Sequence, residues 1–195
     1  HLKCSMINKM PGIYEDKFAN LKVGYTFMMG HPGKKLLFMG QDFGQFHEWD
    51  EKVALDWYLA DEPLHKDLQD YYRDLLHLYK KYPACYSQDY DWKGFQWINA
   101  NDADRSIYSF VRKSKDGKNN MLFVCNFTPV ARPDYRVGVP KKKTYKLVLD
   151  SDAAEFGGEG TEKSVSYKAV KSECDGRAFS FAYPLSGYGI AVFKY

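Results

Sequence analysis

The sequence predicts an α/β segment followed by an all-β segment, the second an antiparallel β-sandwich. Three observations carry this. The first eighty-odd residues set apolar positions at helical spacing on either side of one short apolar run. After Pro83 the hydrophobic period drops to two. Turn-forming residues then recur between short stretches of alternating character, as they do in sandwiches.

Each element follows from its own pattern. From Tyr14 to Met29, Phe18, Leu21, Tyr25 and Met28 recur on one helical face, with Gly30 expected as the C-cap and Pro32 just beyond. Lys35-Leu36-Leu37-Phe38-Met39, ending at Gly40, has the continuous apolar character of a strand buried on both faces of a parallel sheet. A second helix is expected from Pro63 to about Tyr82, with Asp61 as N-cap and Leu64, Leu68, Tyr71, Leu75 and Leu78 as its apolar stripe. A lone helix-strand-helix cannot close a sheet, so the first half reads as the end of a larger α/β domain.

In the second half, Met121 to Phe127 is apolar on both faces and is placed centrally. Tyr145, Leu147 and Leu149 alternate with polar or smaller neighbours, as do Val165, Tyr167 and Ala169, and Phe179, Phe181 and Tyr183. Asp116-Gly117 is a hairpin signal between a strand ending near Arg112 and one starting near Asn120. The stretch Tyr188 to Tyr195 reads as the closing strand.

Composition excludes several classes of function. The 195 residues, 45% hydrophobic and 27% charged, suffice for one well-buried core or a modest domain with a flanking segment. No run approaches the ~20 apolar residues of a membrane helix, and the N-terminus has no secretory signal. A net charge of +3, with Lys141-Lys142-Lys143 as a solvated loop, gives no reason to expect a nucleic-acid partner. Cys4, Cys85, Cys125 and Cys174 form no C-x-x-C pair, which fits a reducing cytoplasm better than a disulfide framework. His1, His31, His47, His65 and His77 lack ligand spacing, so no metal is expected. Ser186-Gly187-Tyr188-Gly189 lacks the G-x-S-x-G pattern and reads as a β-turn. The aromatic content of 17% suits sugar stacking and β-core filling alike. Trp92, Phe95 and Trp97 straddle both faces of one predicted strand, so an exposed face there would offer a patch for stacking sugars.

Four motifs in order carry a resemblance. Gly30-His31-Pro32, the run Lys34 to Gly40 and then Gln41-Asp42-Phe43-Gly44-Gln45 form the longest; Glu48-Trp49 and Leu55-Asp56-Trp57 follow. Upstream lie His1, Ser5 and Asn8-Lys9-Met10-Pro11-Gly12; downstream lie Asn126-Phe127-Thr128-Pro129 and Asp134-Tyr135-Arg136-Val137-Gly138. Together they resemble the bacterial-type 1,4-α-glucan (glycogen) branching enzymes of the α-amylase superfamily over essentially the whole chain. The family has Asn-Glu where this chain has Gln41-Asp42, and Ser where it has Ala54.

The resemblance implies that residues 1–83 are the last part of a catalytic (β/α)₈ barrel and residues 84–195 its all-β C-terminal domain. It implies transfer of an α-1,4-glucan segment to a glucan 6-hydroxyl by a retaining two-carboxylate mechanism, with no cofactor. The catalytic carboxylates belong to earlier barrel strands, so this chain alone is expected to turn nothing over, and its partner is the rest of the barrel. Gln41, Asp42, Gln45, Glu48 and Trp49 fall after strand eight, at the face where barrel enzymes place their active sites. They are expected to contact α-glucan or support the catalytic groups, with loop anchoring as the structural alternative. A related superfamily hydrolase and a non-catalytic glucan-binding module are the rival readings.

Overall fold

The structure, a computed structural model, describes residues 3–161 and 163–195. His1, which opens the upstream motif, lies outside the described residues. Two helices come first, α1 (Tyr14–Gly30) and α2 (Pro63–Lys81). Nine strands follow among the described residues: β1 (Phe95–Asp102), β2 (Ile107–Arg112), β3 (Met121–Asn126), β4 (Arg132–Val139), β5 (Thr144–Asp150), β6 (Ser166–Lys168), β7 (Val170–Cys174), β8 (Arg177–Leu185) and β9 (Ile190–Lys194). They form a six-stranded sheet in the order β1-β2-β3-β9-β5-β6 and a three-stranded sheet in the order β4-β8-β7. Every neighbouring pair is antiparallel.

Strand alternation builds two cores on the two faces of the larger sheet. On β3, Met121, Phe123 and Cys125 pack against the helices, while Leu122 and Val124 face the smaller sheet. β9 repeats this: Ile190 and Val192 point to the helices, Ala191 and Phe193 to the second sheet. The result is three layers, helices on sheet on sheet. Full burial of β3 is what its two-sided apolar sequence predicts. Gly117, at φ 69, occupies the predicted hairpin turn between β2 and β3. Lys141–Lys143 is exposed, and Gly187-Tyr188 forms the expected turn before β9.

Several expectations need correction. No strand forms over Lys35–Met39: the segment has no sheet partner to satisfy its backbone, and Leu36 is 72% exposed. The α/β part is therefore represented by two helices without the parallel strand between them. Gly30 is the last helical residue rather than a left-handed cap, and His31 ends the helix at φ −71. The reason for glycine there is packing, since a Cβ would lie 2.8 Å from Phe110 and 2.9 Å from Phe123. At α2 the N-cap is Glu62, without a side-chain bond, and Pro63 starts the helix; Asp61 belongs to the preceding 3-10 turn Trp57–Asp61. The Val165-Tyr167-Ala169 stretch contributes only the short strand β6, and Val165 is exposed.

Two buried polar devices join the layers. Arg112, at the end of β2, is fully buried and donates to the carbonyls of Gly30 (2.8 Å) and Gly94 (3.2 Å). Its third arm pairs with Asp89 at 2.6 Å. The loop after β5 is held by Asp150, which accepts from the Tyr183 hydroxyl, the Asp152 N–H (2.9 Å) and the Thr161 N–H (3.1 Å). Buried Lys22 of α1 donates to the Phe156 carbonyl at 3.0 Å across this loop.

Burial pushes the Asp150 carboxyl above its ordinary value, against the lowering effect of those three donors. A carboxyl raised on folding adds most stability below its unfolded pKa and loses that contribution as pH rises through the folded value. Urea unfolding at a series of pH values should therefore show wild type losing stability across that window relative to Asp150→Asn. Parallel pH profiles for the two proteins would refute this.

Candidate functional site

The motif segment from Gly40 to Trp49 folds as a pinned loop. Gly40 (φ 77) and Gly44 (φ 70) both take left-handed backbone and bracket a 3-10 turn over Gln41–Phe43. Phe43 between them is buried and packs on Trp57, ring centroids 5.3 Å apart. His65 of α2, fully buried, donates through Nδ1 to the Phe43 carbonyl at 2.7 Å, with Phe18 and Phe46 edge-on to its ring. Asn8 donates to the Phe46 carbonyl at 2.7 Å, tying the N-terminal segment to the same loop.

Gln45 is the internal clamp. Its side chain donates to the His47 carbonyl (3.0 Å) and accepts from the Asp56 N–H (2.8 Å), and it is only 6% exposed. Both ends of the amide are thereby committed to the loop. Gln45→Ala would leave a donor and an acceptor unpaired and should cost about 2 kcal/mol in denaturant unfolding. A loss indistinguishable from zero would mean the loop re-forms those bonds with water.

The other predicted residues divide between two clefts. Gln41, Gln45, Glu48 and Trp49 line a cleft of about 270 Å³ together with Lys3–Ile7 and Lys9. Glu48 accepts from the Lys3 N–H at 3.0 Å, and Trp49 meets Phe38 edge-to-face at 4.9 Å. Gln41 accepts the Phe38 N–H through its side chain, while its carbonyl takes the Tyr25 hydroxyl at 2.7 Å. Asp42 points away into a second cleft of about 570 Å³ with Gln69, Tyr72 and Arg73, where Gln69 donates to it at 3.0 Å. Burial first, then the Asp42 carboxylate, raises the hydroxyl pKa of Tyr25 and of Tyr72, so both stay protonated.

Sequence reasoning assigned no role to Asp56, Gln69 or Tyr72. His47 Nδ1 lies 2.6 Å from Asp56 on the rim of the first cleft. Gln69 reaches Asp42, and Tyr72 lines the same cleft, only because α2 packs beside the loop, and no local motif announces that. Among the described residues, no group of three or more His, Cys, Asp or Glu side chains is placed to hold a metal ion.

Residues 97–195 match the model of the alpha amylase C-terminal all-beta domain. The chain belongs to this family. In this family member the matched region contains both sheets apart from the first two residues of β1, while α1, α2 and the candidate loop precede it. Two curated relatives are similar over the whole chain. One is a 1,4-alpha-glucan branching enzyme, GlgB, of Butyrivibrio fibrisolvens, 53% identical over 195 residues. The other is a 1,4-alpha-glucan branching enzyme, GlgB, of Halothermothrix orenii, 45% identical over 194 residues. All of this chain is covered in both cases, but it spans only about 30% of the relatives' own length. Among solved structures, Ttha1563 of Thermus thermophilus shares the fold at TM-score 0.63 and 17% identity, over 98% of this chain and 33% of that one.

Proposed function

We propose that this alpha-amylase C-terminal family member is the C-terminal portion of a 1,4-alpha-glucan branching enzyme acting in glycogen synthesis. The observation that carries the reading is 53% identity to such an enzyme across all 195 residues, helices and candidate loop included. The parent reaction moves an α-1,4-glucan segment to a glucan 6-hydroxyl through a covalent glycosyl-enzyme, using a carboxylate nucleophile and an acid/base carboxyl. Those groups belong to the preceding part of the parent protein. Residues 1–83 complete its (β/α)₈ barrel, and residues 84–195 form the covering β domain. Exposure of Leu36, Phe38 and Met39 on an unpaired segment supports this, because a preceding barrel strand would cover them. Gln41, Glu48 and Trp49 then face glucan from the barrel rim, Gln45 holds their loop, and Asp42 acts from the neighbouring cleft with Gln69. The reaction needs no cofactor and takes place in the cytoplasm.

The test compares the complete parent protein with this 195-residue chain on amylose, read by the iodine spectrum. The reading expects the parent to shift the spectrum and the chain to leave it unchanged. Activity of the chain alone, or hydrolysis without branching by the parent, would overturn it.

One observation favours a second reading, a glucan-binding surface on the β domain itself. Tyr90 and Trp92 are 86% and 83% exposed, and Trp97 is partly exposed on the adjoining strand. Affinity of the chain for amylopectin, abolished in Trp92→Ala, would support it; absence of binding would remove it.

A further inference from the structure

Four lysines from four separate elements converge on one cleft of about 210 Å³ beside the end of α2. Lys81 comes from the last turn of α2, Lys146 from β5, Lys194 from β9, and Lys163 from the segment before β6. Among the described residues, no acidic side chain lines this cleft. Lys163 is already compensated, with Asp74 at 2.6 Å and Glu155 at 2.7 Å behind it. Lys81, Lys146 and Lys194 have no ion pair among the described residues.

Local structure accounts for one of these three. Lys81 complements the helix C-terminus and lies 5.7 Å from the Tyr82 ring. Nothing comparable accounts for Lys146 and Lys194, which are direct partners across the β5–β9 ladder. Residues so paired hold their Cβ atoms about 5 Å apart, and like charges there are destabilising. Alternation puts Lys194 on the helix side of the sheet with Ile190 and Val192. Ser164, on the same cleft wall, is held at φ 81 with its N–H on the Leu147 carbonyl at 3.0 Å. That conformation costs a non-glycine residue energy, and such strain gathers at ligand sites.

We propose that this cleft binds a phosphate monoester, presented either by a free sugar phosphate or by a glucan chain that carries phosphate. A phosphate group brings nearly two negative charges and three acceptor oxygens to ammonium groups that lack a counter-charge. The site is inferred from the lysines and Ser164 of the cleft, and only the glucan form of its ligand rests on the branching reading.

The test is calorimetric titration of the complete protein at fixed ionic strength, in wild type and in K146Q/K194Q. The probes are inorganic phosphate, glucose 6-phosphate, and amylopectin with and without esterified phosphate. Saturable phosphate binding is expected, weakened about tenfold or more by the double substitution. Tighter binding of glucose 6-phosphate than of inorganic phosphate would name the free sugar; preference for phosphorylated amylopectin would name the polymer. No saturable phosphate binding, or equal binding by the variant, overturns the proposal. Without phosphate the variant should melt at the wild-type temperature or above it, because a like-charge pair has gone. A lower melting temperature would assign the two lysines to the fold and refute the site.

Discussion

Replacing Arg112 with methionine is expected to cost about 3–5 kcal/mol of folding stability, the usual penalty for removing one partner of a buried ion pair. The guanidinium is wholly enclosed and its partner Asp89 is nearly so, at 0% and 7% side-chain exposure. Removal strands the Asp89 carboxylate away from water and takes donors from the carbonyls of Gly30 and Gly94. The Gly30 carbonyl closes α1, so the cation also loses its favourable place at a helix C-terminus. Lysine would not rescue it, since one ammonium cannot reach three acceptors spread around a planar fork. Urea unfolding of Arg112→Met and Arg112→Lys measures both losses. Adding Asp89→Leu to Arg112→Met should recover part of the loss by removing the stranded charge. A single-variant loss under about 1 kcal/mol would show that water reaches the site, against the burial seen here.

Asn126→Ala is the second large effect, expected at about 3 kcal/mol. The Asn126 side chain is fully buried and makes four hydrogen bonds. Its amide donates to the carbonyls of Val130 and Ser186, both at 2.9 Å, and its oxygen accepts from the Thr128 N–H (3.0 Å) and hydroxyl (2.8 Å). It thereby joins the turn after β3 to the turn before β9, and the Tyr188 N–H bond to the Thr128 carbonyl completes the junction. Asn126→Asp keeps the volume and the accepted bonds but sets a carboxylate oxygen against two carbonyls. Its folded pKa should rise above the unfolded value of about 3.9. Its deficit relative to wild type should therefore shrink as pH falls from about 7 towards about 4, where protonation restores a donor. A deficit independent of pH over that range would mean that the turns move apart and let water in.

Asn126 also shows what a motif does and does not disclose. Asn126-Phe127-Thr128-Pro129 was legible as a family feature and Ser186 as the start of a turn, yet nothing in the sequence pairs the two across 60 positions. The candidate loop behaves alike. Its motif placed Gln41 and Asp42 together, but only the packing of α2 separates Asp42 from Gln41 and gives it Gln69. The Lys35–Met39 run forms no strand in this chain because apolar residues define a buried strand only where neighbouring strands accept their backbone bonds.

The sequence by itself determined the two helices, the stripe of α2, the all-β second half and the hairpin at Gly117. These depend on periodicity and turn chemistry within a few residues, and the same apolar alternation then commits each strand to its faces. Tertiary structure alone decided which faces meet. It turned Arg112 from a strand-end charge into a core tie and Gly30 from a cap into a packing contact. It also drew Lys81, Lys146, Lys163 and Lys194 into one cleft. Long-range pairing sets such neighbours, and a local pattern holds no information about a residue far along the chain.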